Sequence, residues 1–363
     1  MGNLQKFKEV VQSLESVQLF GSEVVINRLE QEEVANSLAL LREYLLEGSQ
    51  IESVYKQITL DVLSLLDLGL YSLGPVDFIL VTGGPGSGKS RLLKQLYTTI
   101  RGSTILTPFS ELKESVYQGF RCTTLHVACL KGYKSSVLLV DEYTSCDLGL
   151  VLLAALRQYA DFVVLVGDPL QSWLKDDEGL SFSNTSFSPA VKLLNNYRNP
   201  AEDVQLLNDL FSDDMIAKSS VIESGLNIVP LYDQTFNSSG IFLTFASQSC
   251  VELEKSGITA STVRSAQGVG SDTVHLFIFD RDVRLVAVPE LLRVALSRHR
   301  SQLVIHTDNP AIISVITDSR QIPVDFGLFD KISEPTPFVC RDETKDFDYY
   351  FPVLGKLMDL FVG

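Results

Sequence analysis

Apolar positions over the first part of the chain recur at helical spacing: Val24, Val25 and Leu29, then Val34, Leu38, Leu41 and Leu45, with Glu30, Glu32 and Glu33 between them. An apolar stripe on a polar helix has to be buried against something. The spacing therefore predicts a helical N-terminal region over residues 1–74, a small bundle packed on the domain next to it in the chain. No strict heptad runs through several repeats, which argues against a dimerising coiled coil. From Gly74-Pro75 the pattern changes to short β-rich runs at Val76–Thr82, Thr104–Thr107, Val137–Val140 and Phe162–Val166, separated by helical stretches such as Arg91–Ile100. Near-continuous apolar strands alternating with helices indicate parallel sheets covered on both faces. A second set of strands is predicted at Gly240–Phe245, Val274–Phe279 and Leu303–His306.

The simplest parse is an α/β protein with two units in tandem, 75–185 and 186–330, joined by a Ser-, Asn- and Phe-rich loop over Ser181–Pro189. A length of 363 residues exceeds one usual hydrophobic core and fits that division. Residues 331–363 form a tail in which Pro335 and Pro337 precede the acidic and aromatic run Asp346, Phe347, Asp348, Tyr349, Tyr350 and Phe351.

Hydrophobic content of 45% and charged content of 21% describe a folded globular chain. The apolar stretch Leu148–Leu156 falls short of the roughly 18 to 20 residues that a membrane span needs. A net charge of -15 argues against coating nucleic acid over the whole surface, yet leaves room for a local basic groove. Five cysteines, an odd number scattered without a secretory leader, read as reduced thiols and predict a cytoplasmic protein. Lys6 stands where an N-myristoylation signal needs Ser or Thr.

Gly83-Gly84-Pro85-Gly86-Ser87-Gly88-Lys89-Ser90 satisfies G-x-x-x-x-G-K-S between a predicted strand and a predicted helix. Glycines let successive backbone N–H groups turn onto phosphate oxygens, and the helix N-terminus adds partial positive charge. Lys89 is placed to reach the β and γ phosphates of ATP or another NTP, and Ser90 to ligate Mg²⁺. The strand Val137–Val140 runs into Asp141-Glu142. Because side chains alternate along a strand, the two acids can serve different ends, Asp141 on Mg²⁺ and Glu142 on the attacking water.

Four more strings stand in order along the chain: Val166-Gly167-Asp168-Pro169-Leu170-Gln171, Asn196-Tyr197-Arg198, Thr262 through Gln267-Gly268, and Val294 through Arg298-His299-Arg300. Together with the phosphate loop they resemble the motif series of alphavirus-like viral superfamily 1 RNA helicases, and among these the triple-gene-block movement helicases of plant RNA viruses. The resemblance covers roughly residues 76–310. It implies two RecA-like domains with NTP between them. The first would supply Lys89, Ser90, Asp141, Glu142 and Gln171, and the second Arg198, Gln267, Gly268 and Arg298, the last as an arginine finger. It also implies RNA as a partner, contacted from Thr107, Thr123, Thr124 and His126, together with other viral movement proteins and self-association.

His126 has an equally good reading as a partly buried helix-face histidine. Cys122, His126 and Cys129 would share a helical face, but no fourth ligand is evident for zinc. An NTP-driven RNA helicase or translocase supporting cell-to-cell movement is the first expectation. The alternatives are a nucleotide-responsive RNA- and protein-binding movement scaffold, and the helicase domain of a replicase; the chain's own Met1 favours a free-standing protein over the last.

Overall fold

The computed structural model describes residues 2–29, 31–47, 64, 76–131, 134–171, 187–231, 239–266, 268–309 and 312. Two sheets organise them. The first has seven strands: β1 (Val17–Leu19), β2 (Asp77–Gly83), β3 (Ser103–Thr107), β4 (Cys122–Thr124), β5 (Val137–Asp141), β6 (Phe162–Gly167) and β7 (Pro189–Leu193). Their order across the sheet is β1-β7-β2-β6-β5-β3-β4, parallel throughout except for the antiparallel edge strand β1. Strands β3, β5 and β6 are buried along their whole length, as the near-continuous apolar runs require of strands covered on both faces.

The helices of this half are α1 (Asn3–Gln12), α2 (Gln31–Glu47), α3 (Lys89–Thr99), α4 (Ser110–Ser115), α5 (Leu125–Lys131) and α6 (Leu148–Gln158). The structure corrects the reading of the N-terminal region. Its two described helices do not bundle together but cover opposite faces of the first sheet. On one face Phe7, Val10 and Val11 of α1 join Leu92, Leu93 and Leu96 of α3. On the other, Val34, Leu38 and Leu41 of α2 lie with Val151 and Leu152 of α6. Each buried aliphatic side chain is worth roughly 1.5 to 3 kcal/mol, so a sheet apolar on both sides takes one helix on each. Val24, Val25 and Leu29, though helically spaced, lie in an irregular segment in which Asn27 bridges Phe78 of β2.

The second sheet is formed by β10 (Leu226–Val229), β11 (Ile241–Thr244), β12 (Ser261–Thr262), β13 (Ser271–Phe277) and β14 (His299–His306), in the order β10-β14-β13-β11-β12 and all parallel. With it come a short pair, β8 (Asn195–Asn196) and β9 (Ile216–Ala217), and helices α7 (Ala201–Phe211), α8 (Ser247–Lys255), α9 (Val283–Val286) and α10 (Pro289–Leu296). Its core gathers Leu207, Leu243, Val274, Leu276, Leu292 and Leu303. Strand β7 lies beyond residue 186, where the second unit was expected to begin, yet it pairs with β2 in the first sheet, and Pro189 of the expected loop opens it. The edge of β2 would otherwise carry unpaired backbone groups, and β7 satisfies them. The C-terminal tail and most of the expected 181–189 loop lie outside the described residues.

Candidate functional site

Strands β2, β6 and β5 are neighbours, with Thr82 opposite Gly167 and Val166 opposite Asp141, so their carboxyl ends lie level. Ligands of open parallel sheets bind at such strand ends. The turn after β2 carries the phosphate loop, the end of β5 carries Asp141-Glu142, and the 3₁₀ turn Pro169–Gln171 comes directly after β6. Gly86 has φ +69, and a Cβ there would stand 2.8 Å from Cβ of Arg198, so both the backbone conformation and the close approach call for glycine. The loop leads into α3, where Lys89 is buried and its Nζ donates to the carbonyls of Gly83 at 2.9 Å and Gly84 at 3.0 Å.

Asp141 sits at the centre of a hydrogen-bond set. It accepts from Ser90 Oγ at 3.4 Å, from Tyr117 Oη at 2.5 Å and from the backbone N–H of Glu142 at 3.1 Å. Burial, and then the charge of Glu142, push its carboxyl up to about 7 against the pull of Tyr117 and Lys89. Glu142 occupies the left-handed region at φ 49, a conformation costly for a residue with a Cβ and one that aims a side chain out of the strand direction. Glu142 Oε2, Gln171 Nε2 and Ser87 Oγ are all buried without a hydrogen-bond partner among the described residues. Orphaned polar atoms of this kind are expensive unless a ligand or water completes them.

The second half closes the site. Asn196 donates from Nδ2 to the Pro85 carbonyl at 2.9 Å, and the Tyr197 N–H donates to the Gly86 carbonyl at 2.9 Å, so this segment braces the phosphate loop from outside. Arg198 Nη1 donates to the Ser297 carbonyl at 3.3 Å. Arg298 is buried, and its guanidinium donates to the carbonyls of Val294 at 3.0 Å and Val269 at 3.4 Å. Burial, and then the neighbouring Arg198, push Arg298 down to about 9, so it remains a cation at neutral pH. Arg198 is lowered as well, by burial first and then by Arg300. Arg198 and Arg298, neighbouring buried cations with no ion pair among the described residues, favour an anion beside them.

One cleft of about 240 Å³ is lined by Pro85, Gly86, Ser87, Gly88, Lys89, Ser90, Asp141, Glu142, Gln171, Arg198, Gly268 and Arg298. All of these were predicted from sequence. Gly83 and Gly84 supply carbonyls to Lys89 at the loop's base, and Gln267 lies outside the described residues. Sequence reasoning missed Tyr117, the bracing role of Asn196, and Tyr197, which also lines the cleft, as does Arg300 of the last quoted motif. Asn196 and Tyr197 stood inside a quoted motif and could have been found, whereas nothing in the local pattern marks Tyr117. His126 lies in α5, and burial lowers it to about 4, so it is neutral. Cys122 is in β4 rather than on a face shared with His126 and Cys129, and the Cys129 thiol donates to the Leu150 carbonyl.

The model of the viral superfamily 1 RNA helicase core domain matches residues 79–307. The chain belongs to that family. The match runs from inside β2 to the end of β14, so this helicase core embraces the second sheet and all of the first but β1 and the start of β2, and leaves α1 and α2 outside. The core is similar to the replicase of Beet necrotic yellow vein virus, 35% identical over 250 residues that make up 63% of this chain and 12% of the replicase. It is also similar to the movement protein TGB1 of Peanut clump virus, 29% identical over 254 residues, 66% of this chain and 53% of that protein. The chain thus spans about half the length of that movement protein and a small part of the replicase. Among solved structures, an arterivirus nonstructural protein 10 helicase superposes with a TM-score of 0.48 at 18% identity, covering 66% of this chain and 61% of that one.

Proposed function

We propose that this helicase core is an NTP-driven motor on RNA, hydrolysing ATP or another NTP with Mg²⁺, and that it serves cell-to-cell movement of viral RNA. The observation that carries the reading is the shared cleft: Lys89, Asp141, Glu142 and Gln171 come from the first sheet, Arg198, Gly268 and Arg298 from the second half, and all face one space. On this reading the halves are two RecA-like units. Each has its own parallel sheet, and a ligand between them contacts both.

Lys89 and the loop N–H groups hold the phosphates, and Gln171 senses the γ-phosphate. The donor set suits Mg²⁺, since Ser90 Oγ and Asp141 are oxygen ligands side by side, 3.4 Å apart. They would hold the ion, which neutralises charge on the phosphates. Glu142, with its unpartnered Oε2, takes the proton of the attacking water. Arg298 and Arg198 stabilise negative charge as it develops, and because they belong to the second half their reach depends on closure. The exposed ring of Tyr197 at the cleft mouth offers a flat face to a base.

The same geometry serves a second reading, the helicase part of a replicase, which the 35% identity to a viral replicase favours. Among the described residues no helix is long and apolar enough to cross a membrane, and the proposal entails a cytoplasmic setting with peripheral attachment through partner proteins. The deciding measurement is RNA-stimulated NTP hydrolysis by the purified chain beside strand displacement on a tailed RNA duplex. Hydrolysis that ignores RNA, or no hydrolysis at all, would leave the scaffold alternative standing. Supplying the chain in trans to a movement-deficient virus then separates movement, where spread is restored, from replication, where it is not.

A further inference from the structure

Among the described residues, the largest fully buried side chain is that of Arg293, which lies outside the cleft lining in the middle of α10. Its Nε donates to Asp168 Oδ2 at 2.9 Å and its Nη2 to Asp213 Oδ2 at 2.5 Å. Asp213 in turn is paired with Lys192 of β7 at 3.2 Å. A chain of charges thus runs from the helix of the second half into the first sheet at two points. A Cβ on Gly84 would stand 3.1 Å from Arg293 Nη2, so the phosphate loop's backbone lies directly against the guanidinium.

Asp168 gives the arrangement its meaning. Its Oδ1 accepts from the Leu170 N–H at 3.1 Å, and its backbone carbonyl accepts from the Gln171 N–H at 2.9 Å, so it shapes the turn that presents Gln171. The other carboxylate oxygen faces Arg293. One oxygen therefore holds the turn while its partner ties that turn to α10, the helix that leads directly into Arg298. Buried ion pairs contribute little net stability compared with apolar packing of equal volume, so stability alone is a poor account of this one.

We propose that Arg293 is a positioning residue that anchors the turn carrying Gln171 on the helix leading to Arg298, so that Gln171 reaches the nucleotide in register with Arg298 when the halves are together. The inference deepens the NTPase reading and rests on it. Its prediction is coupling: loosening Arg293 should matter only while Gln171 is there to be positioned.

The test compares the parent chain, Arg293→Lys, Gln171→Ala and the double variant in RNA-stimulated hydrolysis, with thermal unfolding and binding of a fluorescent ADP analogue measured alongside. Lysine keeps the charge but cannot bridge Asp168 and Asp213 with two arms. Arg293→Lys should lower kcat by about 10- to 100-fold with KM and analogue affinity within about threefold, and should cost under about twofold more in the Gln171→Ala background. Losses that multiply across the two backgrounds, a parent-like kcat, or a loss carried by KM would overturn the assignment. Asp168→Asn, which keeps the shape and weakens the tie, is the second variant and should behave alike. If neither folds, Arg293 is a structural strut and the inference falls. A parent chain without turnover removes the NTPase reading instead. The tie is then judged by whether aluminium fluoride tightens the ADP analogue on the parent and fails to do so on Arg293→Lys, equal tightening on both overturning it.

Discussion

Arg298→Ala separates a group built for chemistry from one built for stability. In the folded chain the guanidinium is pushed from the ordinary arginine range to about 9 by burial and by Arg198, and Glu142 and Asp168 offset this only in part. That displacement corresponds to on the order of 5 kcal/mol against holding the charge there. Against it stand two hydrogen bonds from the guanidinium, to Val294 and Val269. Bonds made by a charged group contribute about 1.5 kcal/mol or more each. The side chain borders an open cleft, so its removal admits water rather than leaving a dry cavity. The balance predicts that Arg298→Ala, unfolded in urea at pH 7, is as stable as the parent or up to about 2 kcal/mol more stable. Its kcat for RNA-stimulated hydrolysis should nevertheless fall by about 10³ to 10⁵, as for other arginines supplied across a cleft, with KM little changed. Arg298→Lys should recover little of this, because an ammonium lacks the planar fork. A kcat within a few-fold of the parent would refute the assignment, and so would a stability loss beyond about 2 kcal/mol, which is the signature of a strut.

Other substitutions test other parts of the site. Lys89→Ala deletes a charge whose hydrogen bonds, among the described residues, go to loop carbonyls, and should abolish hydrolysis while the circular dichroism spectrum and unfolding midpoint stay near parental; parental turnover would remove the phosphate-loop assignment. Glu142→Gln should retain binding of a fluorescent NTP analogue and lose turnover by at least about 10²-fold, since Ser90 and Asp141 are untouched; weakened binding with normal turnover would reverse the roles of the two acids. Burial holds His126 down at about 4, so the unfolded chain takes up a proton below about 6.5 that the fold refuses. Stability should then fall as pH drops from about 6.5 toward 4, by roughly 1 to 2 kcal/mol at pH 5 once partial exposure is discounted. Urea unfolding of the parent and of His126→Gln at pH 7 and pH 5 checks this, and an equal pH dependence in both would show that the loss lies elsewhere.

What could be read from the chain alone was whatever a short stretch of backbone determines. Four consecutive buried positions in β5, Val137–Val140, require apolar residues, and a loop that turns its N–H groups inward requires Gly86 at a positive φ. Both demands act over a few neighbouring residues, so strands, phosphate loop and acid pair were legible in order and spacing. Contacts between distant residues left no such imprint. Strand β7 reads as the end of a loop because its reason for being a strand is the open edge of β2, more than a hundred residues earlier in the chain. The N-terminal helices looked like a bundle because helical spacing shows that a face is buried without showing against what. Tyr117 meets Asp141 across 24 residues and Arg293 meets Asp168 across 125, and neither meeting leaves a periodicity or a motif behind it. The sequence by itself thus determined strands β2, β3, β5 and β6 and the order and spacing of the candidate site residues. The tertiary structure decided which side chains brace those groups, and that Arg198 and Arg298 share one cleft with Glu142, because burial and charge act through space and not along the chain.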